Sequence, residues 1–179
     1  RYINNGDIIN EKRRNNQIEN LLINIAKAKE DIIFRFFIFN GNSRVGDHEI
    51  TMTIARKLRA IKPSNVEIFD YNPETYQTWI KIKECNLVFS TRLHAAIFAC
   101  FVDIPFFLVE YHRKCSDFLQ DIGYNQEYRI YDANFSFGTH SINMINLLYN
   151  SKQYIKPKKI LEVVEKSRLN FTKINFHDR

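Results

Sequence analysis

The sequence predicts an α/β fold, a mostly parallel sheet with helices on both faces. Three observations carry this. Short β-branched and aromatic runs alternate with helix-period segments along the 179 residues. Several of those runs are apolar at nearly every position, the pattern of strands buried on both faces. The breaks between them are short polar loops holding Gly, Pro or Asn, with no long linker and no internal repeat. Alternation of this kind makes successive strands parallel, joined by right-handed helical crossovers. A chain of this length forms one domain with a sizeable core. Residues 1–179 are therefore expected to be a single Rossmann-like domain.

Arg1 to Asn10 is polar and reads as irregular. From Glu11 a helical period begins, with Ile18, Leu21, Leu22 and Ile25 on one face and charges opposite. Ile32–Phe39 is a nearly continuous apolar run and reads as a buried strand. Asn40 to Gly46 is a polar loop, and Asp47 is placed to cap a helix whose inner face is Ile50, Ile54, Ala55 and Leu58. Val66–Tyr71 is the next strand, and Pro73 opens a helix running to about Glu84. A strand over Leu87–Ser90 leads into a buried helix, Ala95–Phe101. Ile104–Glu110 is a further strand, with Pro105 tolerated near its start. A helix spans Cys115–Asp121, with Gly123 just past its end. Tyr128–Tyr131 is a short last strand, and helices near His140–Tyr149 and Pro157–Asn170 close the chain. The apolar stripes and Trp79 read as core.

Lys and Arg number 26 against 20 Asp and Glu, for a net charge of +6. The basic residues are scattered, with short clusters only at Lys12-Arg13-Arg14 and Lys156–Lys159. Interleaved acids argue against a nucleic-acid-binding domain and leave a solvated surface or an anionic substrate as the reason for the charge. The longest apolar stretches, Ile32–Phe39 and Ile104–Val109, are too short to span a bilayer. Cys85, Cys100 and Cys115 are odd in number and widely spaced, matching neither a disulfide framework nor a zinc pattern. With no signal-peptide pattern in the opening residues, reduced thiols in a cytoplasmic protein are expected.

In such a sheet ligands bind at the carboxyl ends of the strands. Three polar clusters fall there: Asn40–His48, Ser90–His94 and Tyr111–Lys114. In the second, Arg92 offers planar donors to a carboxylate or phosphate, and His94 can give or take a proton. Free N–H groups at the helix start favour an anion. The plainer alternative has His94 capping the helix and Arg92 pairing with a structural carboxylate. In the third cluster Arg113 and Lys114 hold a second anionic group or are solvated charges; His112 makes a weaker case. In the first, Asp47 orients a substrate hydroxyl or a site cation, or merely caps, and Arg44 reaches an anion from the same loop. Asp47, His48 and Glu49 are adjacent on a helix and point apart, so no metal site is expected. No Walker loop, GxGxxG or GxSxG occurs.

Lys83-Glu84-Cys85-Asn86-Leu87-Val88-Phe89-Ser90-Thr91-Arg92-Leu93-His94-Ala95-Ala96-Ile97-Phe98-Ala99 resembles the signature of the polysaccharide pyruvyl transferases. Ile104-Pro105-Phe106 to Tyr111, then Lys114, Phe118 and Asp121-Ile122-Gly123-Tyr124, fits the same pattern, and Asp47 matches an acidic residue upstream. The similarity covers roughly residues 1 to 130.

The resemblance implies the C-terminal half of a GT-B-like, two-domain transferase. The chain begins at Arg1 and is expected to be a fragment, lacking an N-terminal domain and the first strand of this one. The resemblance also implies a reaction: transfer of a pyruvyl group from phosphoenolpyruvate to two hydroxyls of a sugar or lipid-linked saccharide, forming a cyclic ketal in cell-surface or exopolysaccharide biosynthesis. Leu93 and His94 fall at the family's phosphoenolpyruvate site, with Lys114, and Arg113 beside it, as the later basic residue. His94 is then the general acid. Arg92, Lys114 and the helix start stabilise phosphate and carboxylate. No metal or other cofactor is called for. Peripheral contact with the inner face of a membrane is compatible with the acceptor. The rival of the same architecture is a GT-B glycosyltransferase using a nucleotide sugar.

Overall fold

A computed structural model of the chain describes residues 5–42 and 46–172, with side chains for 8–42 and 46–169. Arg44 lies outside the described residues. The elements run α1 (Asn5–Ala28), β1 (Phe34–Phe37), α2 (His48–Ile61), β2 (Val66–Phe69), α3 (Thr75–Lys83), β3 (Val88–Ser90), α4 (Leu93–Phe101), β4 (Phe106–Glu110), α5 (Arg113–Asp121), β5 (Arg129–Tyr131), α6 (Phe137–Tyr149) and α7 (Ile160–Thr172).

The alternation holds, and every strand pairing is parallel. The fold is α/β and Rossmann-like in the direction and order of its strands. The strands fall into two sheets, however, β1-β2 and β3-β4-β5. Helices group accordingly. α1 packs on α2 and α6, while α3 packs on α4, and α4 and α5 lie against β3 and β4.

Several boundaries differ from the sequence expectation, each for a local reason. α1 starts at Asn5 and not at Glu11. Extending a helix already nucleated costs little, and Gln17 on α1 accepts from the Phe137 amide at 3.1 Å, tying it to α6. The Ile32–Phe39 run yields only a four-residue strand, because its ladder lasts only as long as its partner Val66–Phe69. Pro73 stands before α3, not in its first turn: the Asn72 carbonyl side chain accepts from the Glu74 amide at 2.8 Å and makes a turn there. α5 starts two residues early because His112 Nδ1 accepts from the Lys114 amide at 3.2 Å, capping the helix. It ends at Asp121, and Gly123 follows the cap residue with a φ of 63° that only glycine adopts freely. Trp79 is half-buried at the rim, 5.7 Å from the Tyr76 ring, and not in the core.

The core is densest around β4, where Phe106, Phe107, Leu108 and Val109 have no exposed surface. Strands flank β4 on both sides, and helices cover its faces. Tyr124 stacks on Phe106 with ring centroids 4.2 Å apart, and its hydroxyl donates to the Phe106 carbonyl. Burial pushes the Cys100 thiol up to about 11, and raises the Cys115 thiol and the Tyr124 and Tyr154 hydroxyls as well. These groups are held neutral by the fold. The stability Cys100 lends is fully present below the pKa of an unfolded thiol, about 8.5. It is lost as pH rises through the folded value of about 11. We expect the melting temperature to fall between about pH 9 and 11, on the order of 5 °C, and the Cys100→Ala variant to show a flatter profile. Profiles of equal slope would assign the loss to other groups.

Candidate functional site

The site is built where β1 and β3 run out. Beyond β1 the chain turns back on itself: the Asp47 amide donates to the Asn40 carbonyl at 3.0 Å, and the Asn40 amide donates to Asp47 Oδ2 at 3.0 Å. Asp47 occupies the N-cap position of α2, but its side chain caps nothing. That corrects the capping expectation. The carboxylate reaches across to Arg92 instead.

Arg92 is aimed by its own turn. Ser90 Oγ accepts from the Arg92 amide at 2.8 Å and lies 2.8 Å from the Arg92 carbonyl, to which it donates. This holds Arg92 extended at the N-cap of α4 (φ −97°, ψ 122°). Its Nε lies 3.1 and 3.2 Å from the two Asp47 oxygens, and Nη2 donates to Oδ1 as well. The pairing of Arg92 with a carboxylate, raised as the plainer alternative, is therefore present. Burial alone would lower the Arg92 pKa. The hydrogen bonds and charge of Asp47, with Tyr111 and Glu11 adding to them, reverse that and raise it. Arg92 is a permanent cation.

This pair sits at the mouth of an open slot of about 530 Å³ between β1 and β3. Asp47, Ser90, Thr91, Arg92 and Ala95 line its carboxyl end; most of the remaining wall is apolar. Leu93, His94, Arg113 and Lys114 do not line it. They stand in the first turns of α4 and α5, which follow the adjacent parallel strands β3 and β4 and so open on the same edge. His94 is exposed and makes no hydrogen bond or ion pair among the described residues. Leu93 packs against the core. Arg113 is exposed and lies 3.5 Å from Asp117 on its own helix. Lys114 is exposed, with its charge at the start of α5.

Sequence reading missed a second group on this edge. Arg14, on α1, lies over the Tyr111 ring at 4.6 Å and donates to Asp132 Oδ2 at 2.8 Å. Arg13 donates to the Asp132 carbonyl at 2.7 Å. Asp132 Oδ1 is buried without a partner among the described residues. The signal was the Lys12-Arg13-Arg14 cluster, which only the placement of α1 turns into an edge feature. Among the described residues, no three His, Cys, Asp or Glu side chains converge as a metal site would require.

A family model described as polysaccharide pyruvyl transferase matches residues 2–113, more than half of the chain. Asp47, Arg92, Leu93, His94 and Arg113 fall inside the matched segment, and Lys114 lies one residue beyond it. The match stops short of the motif resemblance, which runs to about residue 130. Among curated proteins, and among solved structures, nothing matches.

Proposed function

The chain belongs to the polysaccharide pyruvyl transferase family, and from that premise we propose that it moves the pyruvyl group of phosphoenolpyruvate onto two hydroxyls of a saccharide. The enzyme is a transferase with a saccharide acceptor by family. The donor, the residue roles and the pathway are our reading. The observation that carries it is the position of His94. It stands exposed and unpaired in the first turn of α4, two residues after Arg92, where the helix start offers a small anion N–H donors and the imidazole a proton.

The donor needs two things from a site. Its phosphate and carboxylate need cations or N–H groups, for which Lys114, Arg113, Arg92 and the starts of α4 and α5 are available. Its methylene carbon needs a proton. We assign that step to His94. The imidazolium donates to the methylene carbon and makes a methyl group, and the adjacent carbon becomes oxocarbenium-like. One sugar hydroxyl adds there and returns a proton to the imidazole. Phosphate leaves with its electron pair, and the second hydroxyl closes the ketal as its proton goes to phosphate. Two of the Arg92 donor nitrogens are committed to Asp47, so Arg92 acts chiefly through its field and Lys114 makes the direct contact.

The reading requires no further cofactor and no nucleic acid. No helix among the described residues is long and apolar enough to cross a membrane. We place the reaction in cell-surface or exopolysaccharide biosynthesis, in the cytoplasm where phosphoenolpyruvate is made. A lipid-linked acceptor would bring the enzyme to the inner membrane face.

Phosphate release from phosphoenolpyruvate in the presence of saccharide acceptors tests the activity. Calorimetry should show binding of phosphoenolpyruvate; binding of nucleotide sugars in its place would overturn the assignment. Lys114→Ala should raise KM for phosphoenolpyruvate by about ten- to a hundredfold, as loss of one charge-assisted contact does. Turnover at saturation should change much less, and an unchanged KM would remove Lys114 from the donor site.

A further inference from the structure

We propose that Tyr111 is a further substrate-contacting residue of this edge, donating its hydroxyl to an anionic oxygen of the donor, and that Arg14 is the positioning residue that fixes its ring. The inference rests on the phosphoenolpyruvate reading above and adds to it a neutral donor held by a helix distant in sequence.

Tyr111 stands along the edge between the groups already assigned to the donor. β3 and β4 run parallel, with Ser90 paired to Leu108. Arg92 lies two residues past Ser90 and Tyr111 three past Leu108, on strands about 5 Å apart. Lys114 follows three residues after Tyr111, in the first turn of α5. Tyr111 has left the ladder: its amide donates to the Val109 carbonyl at 3.0 Å, a tight turn that closes β4. Tyr111 and Arg92 also feel one another, since Tyr111 is among the groups that raise the Arg92 pKa.

The fold makes no use of the Tyr111 hydroxyl. The ring is half-buried and packs on the core. Its Oη makes no hydrogen bond among the described residues, yet it is not sealed off, because the one buried side-chain polar atom without a partner there is Asp132 Oδ1. Other tyrosines differ. The Tyr124 hydroxyl donates to the Phe106 carbonyl, and the Tyr128 hydroxyl donates to the Gln153 carbonyl at 3.0 Å. A phenylalanine would serve the core at 111 as well as tyrosine does. The phenol adds a donor open to solvent, on an edge where His94, Arg113 and Lys114 are exposed too.

The ring is also held in one pose. The Arg14 guanidinium lies over it at 4.6 Å and donates from Nη1 to Asp132 Oδ2 at 2.8 Å. Only 14% of the Arg14 side chain is exposed, so it is a fixed post and not a solvated charge. Asp132 opens the turn after β5, and the His112 ring meets Tyr111 edge-on with centroids 6.4 Å apart. Contacts from α1 and from the start of α5 thus immobilise the ring before any ligand arrives, which removes the ordering cost that a free side chain would add to binding.

The test is calorimetry of the chain with phosphoenolpyruvate, alongside melting temperatures. Tyr111→Phe should weaken phosphoenolpyruvate binding about tenfold or more, the loss expected for a hydrogen bond to a charged group. Its melting temperature should stay within about 2 °C, because the ring and its Arg14 contact remain. Competition by inorganic phosphate and by pyruvate locates the contact: the competitor that Tyr111→Phe weakens carries the oxygen that the hydroxyl meets. Arg14→Met should weaken phosphoenolpyruvate binding several-fold, and Arg14→Lys, which keeps a cation for the ring and for Asp132, should recover most of that loss. In the Tyr111→Phe background, Arg14→Met should cost little further affinity, since the ring it positions no longer carries the contact. Equal affinity of the parent and Tyr111→Phe overturns the contact, and additive losses in the double variant overturn the positioning role. A parent chain that does not bind phosphoenolpyruvate overturns the donor reading and this proposal with it, whereas a parent that binds beside an equally tight Tyr111→Phe variant overturns this proposal alone.

Discussion

In the His94→Ala enzyme, turnover falls by about a hundredfold or more, the loss typical of removing a general acid, while KM for phosphoenolpyruvate stays within a few-fold. The split matters because the two roles open to this residue predict different losses. A His that only helps bind an anion raises KM and leaves saturated turnover nearly intact. A His that delivers the proton acts in the transition state and lowers kcat. His94→Gln separates them further, since it keeps a hydrogen-bond donor but cannot transfer a proton at the required rate. It should be as slow as Ala. Exposure of His94 makes the experiment clean: no hydrogen bond or ion pair among the described residues is lost with the ring. Exposed substitutions of this kind change stability by no more than about 0.5 kcal/mol. Near-normal turnover in either variant would take the general-acid role away from His94.

The sequence carried the strand and helix order because buried parallel strands and amphipathic helices have different periods, and both are written along the chain. It also carried which polar clusters share one sheet edge, since the ends of parallel strands follow from their order alone. What it could not carry were facts set by contacts between distant residues. Nothing local distinguishes an Asp47 that caps its own helix from one that crosses to Arg92, 45 positions away. Nothing local sends Arg14 to Tyr111 and Asp132, because that pairing depends on where α1 lies over the sheet. Strand lengths were overread for the same reason: an apolar run marks where a strand can exist, and the ladder with its neighbour decides how much of it does. The separation of β1 from β3 is the sharpest case. Each run predicted a fully buried strand, and the half-exposed phenylalanines that resulted are a property of the pair of sheets and of neither run.

The largest loss of stability is expected at a buried ion pair that joins β4 to β5 and supports the same edge. Glu110 closes β4 with its side chain fully buried, and Arg129 opens β5 with only 9% of its side chain exposed. The contact is two-pronged: Nε donates to Oε1 at 2.8 Å, and Nη2 donates to Oε2. The hydrogen bonds Arg129 donates to Glu110 raise its pKa against the opposing effect of burial, so the guanidinium keeps its charge. In Glu110→Ala that charge stays in place with no counterion, and the cost should be about 3–5 kcal/mol, read as a lower urea midpoint at constant m. The sign of the whole pair is a separate matter, because desolvating two ions offsets much of their attraction. Glu110→Leu combined with Arg129→Met should therefore recover most of the loss or exceed the parent. If Glu110→Ala costs less than about 1 kcal/mol, the level of an exposed pair, Arg129 has swung to water and the pair is not structural. The double variant then asks why the ions are there. Glu110 immediately precedes Tyr111, whose ring supports Arg14. A double variant that is stable but slow would mean the pair holds this edge in register for the donor; one that is both stable and active would mean it does not.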